Sequence, residues 1–328
     1  MIKIAQIGTS HNSHGPDIFN CIKSLPDIFE IVGYALPENE REKFPQRMPV
    51  FEGYREMTVD EILNDPEIDA VLVETEEIYL TKYAQLVADH KKHMHMEKPG
   101  GINLADFEKL IETVKKNKTV FHTGYMYRYN PYITDLMKRI KAGELGEIIS
   151  VEAQMNSPHP LELRKWLSTF PGGVLFFLGC HLIDLILQIQ GMPEKIIPLS
   201  KSTGLDGVDG KDFGMVALEY KHGISFAKTS STEWGGFTRR QLVVCGTKGT
   251  VEIRPLELIQ KAGMQTTEYR EISDYNWTAD SDFNSTSEFN RYKTMMKSFA
   301  AMVRKEKENP WTYDYELELY RTILKCCE

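Results

Sequence analysis

Short apolar runs alternate with helix-like segments through the first 124 residues of the chain. The apolar runs lie at residues 2–7, 29–36, 69–73, 92–96 and 119–124. Before one of the helix-like segments, Thr58 is followed three residues later by Glu61, which is the pattern of a capping box. Strands that alternate with helices at this spacing predict an α/β fold with a doubly wound parallel sheet. Ligands bind such sheets at the carboxyl ends of the strands, where Gly8, Thr75 and Glu97 stand.

The rhythm changes near residue 123, and most of the later strand-like runs follow one another directly. These runs lie at residues 147–154, 213–220, 224–232, 241–245 and 250–253. Helix-like segments occupy residues 131–142, 181–190, 290–307 and 314–327. Consecutive strands joined by short turns indicate an antiparallel sheet. The change of rhythm predicts two domains, residues 1–122 and residues 123–328.

Composition argues against several classes of protein. The formal net charge of −8 and the pI near 5.7 disfavour nucleic-acid binding, which needs clustered basic surface. No apolar run approaches the roughly 18 residues that a membrane span requires, and the N-terminus has the pattern of a strand rather than of a signal peptide. The five cysteines are scattered and show no metal-ligand spacing. We therefore expect no metal site, reduced thiols and a cytoplasmic location.

Two segments carry residues suited to chemistry on a hydroxyl group. Lys98 lies between Glu97 and Pro99, and the proline restricts the lysine backbone to extended geometry. Downstream, His181 and Asp184 are three residues apart, so a helix places them on one face. Histidine is well suited to accept an alcohol proton near neutral pH. A purely structural alternative is a surface lysine paired with its neighbouring carboxylate and a buried histidine bonded to a backbone carbonyl.

Ordered motifs along nearly the whole chain make it similar to one family. They are Asp69-Ala70-Val71-Leu72-Val73, Glu97-Lys98-Pro99, Gly124-Tyr125-Met126-Tyr127-Arg128-Tyr129-Asn130-Pro131, Gly143-Glu144-Leu145-Gly146-Glu147, Gly172-Gly173-Val174, Gly179-Cys180-His181-Leu182-Ile183-Asp184 and Gly246-Thr247-Lys248-Gly249-Thr250. Each motif is weak alone, whereas the ordered set is specific. The chain resembles the Gfo/Idh/MocA oxidoreductases, the relatives of glucose–fructose oxidoreductase and inositol dehydrogenase.

The resemblance implies a fold, a cofactor and a class of substrate. Residues 1–122 would form a dinucleotide-binding Rossmann domain with a parallel sheet. Residues 123–328 would form an α/β domain for substrate binding and oligomerisation, with an open and largely antiparallel sheet. The cofactor would be NAD or NADP. The substrate would be a sugar, cyclitol or related polyol whose secondary hydroxyl exchanges a hydride with the nicotinamide.

The resemblance also implies roles for individual residues. The catalytic residues would be Lys98, His181 and Asp184. The cofactor would contact Gly8, Thr9, Ser10, His11, Glu38, Thr75, Glu97, Lys98 and Pro99. The substrate would contact Tyr127, Arg128, His159, Trp166 and His181. The aromatic members present flat apolar faces to a sugar ring, although such residues also pack in cores and interfaces. Arg128 either positions the substrate or anchors the interdomain hinge.

The nucleotide loop departs from the family pattern of Gly-x-Gly-x-x-Gly. Only Gly8 is in register, while Ser10 and Ser13 stand at the other two glycine positions. Serine is small, and its hydroxyl could cap the helix or bond a phosphate oxygen. The second strand ends at Leu36-Pro37 instead of an acidic residue. Glu38 is then the candidate partner of the adenosine ribose, and the choice between NAD and NADP stays open.

Further departures leave alternative functions open. Glu76 and Glu77 follow Thr75, and two carboxylates near a diphosphate are unfavourable unless they point to solvent. Phe177 stands four residues before His181, where many relatives carry a catalytic aspartate. One alternative is a redox-inactive sugar- or dinucleotide-binding regulatory protein. Another is an NAD-assisted, redox-neutral glycosidase or lyase of the same family.

The strand-rich region also predicts self-association. Strands 213–218 and 224–227 carry apolar residues on both of their faces. One face of an open sheet is covered by helices, and an apolar outer face of this size normally marks an interface. We therefore expect a homodimer or homotetramer that forms through this sheet.

Overall fold

The computed structural model of the protein describes residues 1–260, 263–273 and 282–328. The described residues pack as two compact units, Met1–Met126 with Tyr292–Tyr320, and Tyr127–Arg291 with Arg321–Glu328. Residues 292–320 therefore pack with the N-terminal part of the chain, although they follow the strand-rich region in sequence. The predicted domains, residues 1–122 and residues 123–328, were assigned functions as well as boundaries, and both remain predictions.

The first unit contains a five-stranded parallel sheet, and all five strands lie within residues 1–126. Its strands are β1 (Ile2–Ile7), β2 (Phe29–Ala35), β3 (Ala70–Val73), β4 (His93–Met96) and β5 (Phe121–Thr123). Their order is β2-β1-β3-β4-β5, and every neighbouring pair is parallel. The strand order reverses between β1 and β3, where doubly wound sheets open a ligand crevice at their carboxyl ends.

Helices connect these strands and continue through the rest of the described chain. They are α1 (Gly15–Lys23), α2 (Glu40–Lys43), α3 (Val59–Asn64), α4 (Leu80–Asp89), α5 (Leu104–Asn117), α6 (Pro131–Lys141), α7 (Leu161–Leu167), α8 (Cys180–Gln190), α9 (Arg291–Val303) and α10 (Tyr313–Cys326). Tighter 3₁₀ turns lie at Pro45–Phe51, Glu77–Tyr79, Met126–Tyr129, Leu205–Gly207 and Gly236–Arg239, and a π-helical turn at Leu175–Gly179 leads into α8. The predicted capping box of α3 is confirmed, because the Thr58 side chain accepts from the Glu61 amide and the Glu61 side chain accepts from the Thr58 amide.

A second, mixed sheet belongs to the second unit. Its described strands are β6 (Ile148–Asn156), β7 (Lys195–Pro198), β8 (Phe213–Tyr220), β9 (Gly223–Ser230), β10 (Gln241–Gly246), β11 (Gly249–Ile253), β14 (Glu268–Ile272) and β15 (Asn284–Ser285), while β12 (Leu258–Ile259) pairs with β13 (Gln265–Thr266) separately. The order is β15-β14-β11-β10-β6-β9-β8-β7. Among the described strands, β6 and β9 are parallel and the other neighbours are antiparallel. The prediction of a largely antiparallel sheet is confirmed.

One face of this second sheet is packed against helices and the other is only partly covered. Along β8, buried residues alternate with half-buried ones, as the two-residue period of a strand requires. On the buried face, a Cβ atom added at Gly214 would lie 2.7 Å from Leu175 Cβ. Glycine therefore lets the helical segment that begins at Leu175 approach the sheet closely.

Among the described helices, none combines the length and the apolar character that crossing a membrane requires.

Candidate functional site

Gly8 begins the loop that follows β1, at the carboxyl edge of the first sheet. Its φ is +87°, and an added Cβ would lie 2.3 Å from Thr75 Cγ2 and 2.7 Å from the Thr75 amide nitrogen. The Gly8 amide also donates a hydrogen bond of 2.8 Å to the Ala35 carbonyl at the end of β2. Only glycine fits this close contact between three strand ends. The structure thus places the predicted cofactor residues Gly8 and Thr75 in contact.

The serines of the same loop bind backbone amides of the loop itself. Ser13 Oγ accepts from the amides of Ser10 at 3.1 Å and Gly15 at 3.3 Å, and Ser10 Oγ accepts from the Asn12 amide at 3.2 Å. These side chains therefore supply acceptors within the loop where glycine would supply none. His11 is exposed, and its Nδ1 lies 2.8 Å from Gln46 Nε2.

Two carboxylates also contact amides of this loop. Glu40 Oε2 accepts from the Thr9 amide at 3.1 Å, and Glu97 Oε2 accepts from the His14 amide at 3.1 Å, directly before α1. The N-terminus of a helix favours negative charge, because its first amides lack partners within the helix. In this structure the chain's own carboxylates occupy part of a place that suits an anion.

Glu38 and Glu40 both follow β2, but their side chains have different partners. Glu38 accepts from Lys82 Nζ at 2.5 Å and from Tyr83 Oη at 2.8 Å, and these hydrogen bonds lower its pKa. Glu40 is fully buried beside Thr9, and burial raises its pKa to about 9. Its Oε1 has no hydrogen-bond partner among the described residues. Sequence reasoning missed Glu40, whose position two residues after Glu38 was the available signal.

The Glu97-Lys98-Pro99 motif follows β4 and is almost entirely enclosed. Glu97 Oε1 accepts from the Lys98 amide at 2.9 Å, and Lys98 Nζ lies 4.0 Å from the same oxygen. Lys98 is 3% exposed, and the Lys98–Pro99 peptide bond is cis. The alternative of a surface lysine does not describe this geometry, because the ammonium group is desolvated beside a carboxylate.

A row of polar side chains lies on one face of the sheet beneath this edge. In the strand register His95 is opposite Leu72 and His122, and Leu72 is opposite Gln6, so the four share a face. His95 Nδ1 lies 2.6 Å from His122 Nδ1, and His95 Nε2 lies 3.6 Å from Glu74 Oε1. Burial lowers the pKa of His95 to about 4. His95 is therefore neutral near pH 7, and one proton suffices for the contact between the two Nδ1 atoms.

Three glutamates form a buried acid cluster at the carboxyl edge: Glu74, Glu77 and Glu97. The four carboxyl oxygens of Glu74 and Glu77 find no hydrogen-bond partner in another described residue. Burial, followed by the charges of Glu97 and Glu77, holds the pKa of Glu74 well above its usual range. Burial also raises the pKa of Glu77 to about 7, and the Lys98 charge opposes that rise.

Neither Glu76 nor Glu77, the two carboxylates that follow Thr75, points freely to solvent. Glu76 is mostly covered and lies 3.7 Å from Lys43 Nζ, while Glu77 is directed inward. Among the described residues, no group of three or more His, Cys, Asp or Glu side chains is arranged to hold a metal ion. Burial raises the pKa values of Glu74 and Glu77 and so favours their protonated forms, because buried ionised carboxyls without partners are unfavourable.

In the second unit, α8 joins His181 and Asp184 to the turn at Met126–Tyr129. Arg128 Nε and Nη2 donate to Asp184 Oδ2 at 3.0 Å and Oδ1 at 2.8 Å, and Gln188 Nε2 donates to Oδ2 at 2.8 Å. The His181 ring meets the Tyr127 ring edge-on, with centroids 5.2 Å apart. The structure therefore brings together four of the predicted residues of this unit.

The other predicted substrate residues lie near the end of β6 and on α7. His159 donates its backbone amide to the Ser231 carbonyl at 2.8 Å, and burial lowers the pKa of its ring to about 4. Trp166 packs edge-on against Phe177, with ring centroids 5.4 Å apart. Phe177 thus fills the place of the family aspartate with an aromatic contact.

Asn156, the last residue of β6, is a further candidate that sequence reasoning missed. It is fully buried, and neither its amide nitrogen nor its amide oxygen has a hydrogen-bond partner among the described residues. Unpaired buried amides are costly, so such a group is suited to a bound ligand. The predicted strand ended two residues earlier, and this concealed the position of Asn156.

Family comparisons define the class of the molecule. The chain matches a model described as an oxidoreductase family with an NAD-binding Rossmann fold over residues 2–125. A model of the C-terminal domain of the same family matches residues 133–252. The molecule is therefore an oxidoreductase built on an NAD-binding Rossmann fold. It belongs to the GFO/IDH/MocA family, which confirms the resemblance inferred from the ordered motifs.

Relatives and solved structures agree with this assignment. The myo-inositol 2-dehydrogenase of Thermotoga maritima is 25% identical over 258 residues, which cover 76% of this chain and 73% of that protein. An oxidoreductase from Desulfitobacterium hafniense superposes with a TM-score of 0.81 at 19% identity, covering 99% of this chain and 94% of the other. Levoglucosan dehydrogenase in complex with NADH and levoglucosan gives a TM-score of 0.79 at 16% identity, covering 99% and 97%. The structural matches show a shared fold.

Proposed function

We propose that the protein is an NAD-dependent dehydrogenase acting on a secondary hydroxyl of a sugar, cyclitol or related polyol. The observation that carries this proposal is the desolvated Lys98 ammonium, held beside Glu97 at the carboxyl edge of a Rossmann sheet. The names of two similar proteins support the substrate class, since one is a myo-inositol dehydrogenase and the other was solved with NADH and levoglucosan.

The residues of the first unit fit a dinucleotide in two respects. Gly8 provides the tight turn that lets the loop pass against Thr75, which is the role of the first glycine in dinucleotide folds. Glu40 presents a buried oxygen without a partner beside Thr9, where a ribose hydroxyl can donate a hydrogen bond. We propose that Glu40, in place of Glu38, is the carboxyl group that binds the adenosine ribose.

The surroundings of Glu40 favour NAD over NADP. A 2′-phosphate would bring negative charge next to Glu40 and near Glu38 and Glu76. The neighbouring cations are engaged: Lys82 with Glu38, Arg41 with Glu56, and Lys43 with Glu76. A hydroxyl group donates to a carboxyl oxygen, whereas a phosphate offers mainly acceptors.

The catalytic roles follow from the chemistry of each side chain. A bound nicotinamide would supply the hydride acceptor. Lys98 would polarise the reacting hydroxyl, because a desolvated ammonium stabilises developing negative charge strongly. His181 would accept the hydroxyl proton. Asp184 is held by Arg128 in two hydrogen bonds, so we assign this pair to positioning of α8 and His181.

Substrate contacts are proposed for residues of the second unit. Tyr127 and Trp166 offer ring faces or edges to a sugar, and His159 offers a neutral ring nitrogen. The unpaired amide of Asn156 would hydrogen-bond a hydroxyl of the substrate. Arg128 is expected to act through Asp184, because its guanidinium already binds that carboxylate.

Absorbance of the reduced nicotinamide tests the proposal directly. Purified protein is incubated with NAD and single polyols, including myo-inositol and levoglucosan. We expect time-dependent NADH formation with at least one of them. Substrate conversion without net NADH would indicate a redox-neutral cycle instead. Absence of binding by NAD and NADP would favour the redox-inactive regulatory alternative, which Phe177 and the occupied loop amides support.

We further propose that the protein is a cytoplasmic homodimer or homotetramer. The partly covered face of the second sheet carries Met215, Ala217, Phe226 and Val243, all half-buried. Exposed apolar area of this kind normally marks an interface. The five cysteines are free thiols, which suits a reducing compartment. Sedimentation at micromolar concentration should give a dimer or tetramer, and a monomer would contradict the assembly.

A further inference from the structure

Negative charge already crowds the place where a dinucleotide diphosphate would bind. Glu97 Oε2 accepts from the His14 amide directly before α1. A Cβ atom added at Gly15, the first residue of α1, would lie 3.0 Å from Glu74 Cβ and 3.3 Å from Glu74 Oε2. Two carboxyl groups of the acid cluster thus lie against the start of the helix that receives phosphate in this fold.

The third member of the cluster is close to the same charges. Glu77 begins the turn that follows Thr75, and Thr75 contacts Gly8 in the phosphate loop. Lys98 and Glu97 act on Glu77 electrostatically, and Lys98, Glu97 and Glu77 act on Glu74. Lys98 is therefore a cation whose charge acts on both Glu74 and Glu77, where three carboxyl groups lie together.

Charged and titratable groups of several elements lie around the cluster. They are His14 and Asp17 at the start of α1, Lys43 on α2, Glu76 before the turn, His95, Glu97 and Lys98 on and after β4, His122 on β5, and Tyr292 on α9, whose hydroxyl contacts the His14 ring. The neutral His95 offers no positive charge to offset Glu74. Lys43 lies beside Glu76, so it does not neutralise the inner carboxyls.

An arriving diphosphate would add negative charge to this site, and its own acidic protons are lost far below neutral pH. A proton on a carboxyl group without hydrogen-bond partners is the available compensation. Glu97 already accepts hydrogen bonds from two amides, those of His14 and Lys98. Glu74 and Glu77 have no such donors among the other described residues.

We propose that dinucleotide binding takes up a proton at the Glu74–Glu77 pair, so that affinity for the dinucleotide falls as the pH rises above neutrality. The inference rests on the proposed function, since it concerns the same cofactor site.

The pH range follows from the state of the pair in the free protein. The pKa of Glu77 is raised to about 7 and that of Glu74 lies well above its usual range. Below about pH 7 Glu77 already carries a proton in the free protein, so binding adds none there. Above this pH the free protein has lost a proton that the complex retains. Affinity should then fall by up to tenfold per pH unit, the limit for uptake of one proton.

Isothermal titration calorimetry of NAD binding measures the proton uptake. Titrations of the full-length wild-type protein near pH 8, in two buffers of different ionisation enthalpy, should show between one half and one proton taken up. Affinity should fall at least fivefold between about pH 6.5 and pH 8.5. In Glu77→Gln both the uptake and the pH dependence should be close to zero. Glu76→Gln, which removes the adjacent carboxylate beside Lys43, should keep the proton uptake, with its pH range moved lower because the Glu76 charge contributes to the raised pKa of Glu77.

The outcomes separate this inference from the proposed function. Binding of NAD without proton uptake, or with affinity independent of pH, overturns the inference and leaves the proposed function intact. No binding of NAD or NADP at any pH overturns both. The wild-type measurements decide the question even where Glu77→Gln fails to fold. Equal loss of pH dependence in Glu76→Gln would also contradict the assignment to the Glu74–Glu77 pair.

Discussion

Arg128 and Asp184 form a buried ion pair with two hydrogen bonds, of 3.0 Å from Nε and 2.8 Å from Nη2. Both side chains are 1% exposed. The pair connects the turn at Met126–Tyr129 to α8, the helix that carries His181. On this geometry we propose that both residues position α8 and that His181 carries the proton chemistry.

Removing one partner of this pair should be much more harmful than removing both. Asp184→Ala leaves the Arg128 charge buried without its carboxylate, which typically costs about 3–5 kcal/mol in the free energy of unfolding. The double variant Arg128→Met/Asp184→Leu should recover much of that loss, because no charge stays buried. Denaturant unfolding of the three proteins measures the effect. Equal stability of wild type and Asp184→Ala would show that the pair has no structural role.

Lys98→Ala should lower turnover by about 10²–10³, the usual cost of one electrostatic contact made in the transition state. Dinucleotide affinity should fall much less than turnover, through loss of the charge that acts on Glu74 and Glu77. Lys91→Ala is the matched control, since Lys91 is an exposed lysine just before β4. Steady-state rates and NAD titrations distinguish the two effects. Near-native turnover of Lys98→Ala on a confirmed substrate would exclude this mechanism.

His181→Ala should cost a comparable factor in rate and also change the pH profile. If His181 is the base, the rise of rate with pH should flatten, because no group of the same pKa replaces it. Tyr127→Phe keeps the ring that meets His181 and serves as a control for packing. A pH profile of His181→Ala that is parallel to that of wild type would assign the proton to another group.

Glu40→Ala should weaken NAD binding and raise the NADP-to-NAD affinity ratio by roughly two- to tenfold, the effect of one lost hydrogen bond to a neutral carboxyl group. The matched control is Glu38→Ala. Glu38 pairs with the exposed Lys82, and surface pairs contribute only about 0–1 kcal/mol. Calorimetric titration with both dinucleotides compares the variants. A larger loss of NAD affinity in Glu38→Ala than in Glu40→Ala would indicate that Glu38, as first predicted, binds the ribose.

The free energy of unfolding should fall as the pH rises through the range in which Glu77 is protonated in the folded protein but ionised in the unfolded chain. Its pKa is raised from 4.5 to about 7, so between these values the folded protein binds more protons than the unfolded chain. The loss between about pH 4.5 and pH 7 is of the order of 3 kcal/mol, at 1.36 kcal/mol per unit.

Glu77→Gln tests this pH dependence, because the amide is neutral at every pH. The variant should lose less stability than wild type between pH 5 and pH 8, as measured by urea unfolding at several pH values. Glu40, whose pKa is about 9, continues the same trend to higher pH in both proteins. Parallel stability curves for the two proteins would contradict the assigned proton.

Local patterns were sufficient to predict most elements of the fold. The strands β1 and β8 and the capping box of α3 have the predicted limits, because hydrophobic alternation and capping depend on neighbours in sequence. The strands β7, β14 and β15 were missed. They are short or lie towards the edges of the sheet, so their pairing depends on distant partners and not on their own apolar pattern.

The sequence motifs were sufficient to predict which residues belong to the candidate site. They did not predict the contacts among its buried polar side chains. The positions of Lys98 and His181 follow from motif order. The partners of Glu74, His95 and His122 depend on the strand register, which no local pattern specifies. One signal was present in the sequence. Histidine and methionine alternate along β4, which places His93 and His95 on one face of the strand. Such a period of two in a buried parallel strand indicates a polar row within the core.

Residues 292–320 complete the first unit from the far end of the chain. Phe299 on α9 lies 5.3 Å from the His122 ring, and Glu316 on α10 accepts from Thr123 Oγ1 at 3.0 Å. All five strands of the sheet leave the ribosome long before either residue is made. During synthesis, His95 and His122 therefore lack the packing of α9 until the strand-rich region has been translated. Residues 1–126 expressed alone would lack these contacts, so a segment exchanged between family members should include residues 292–320 as well.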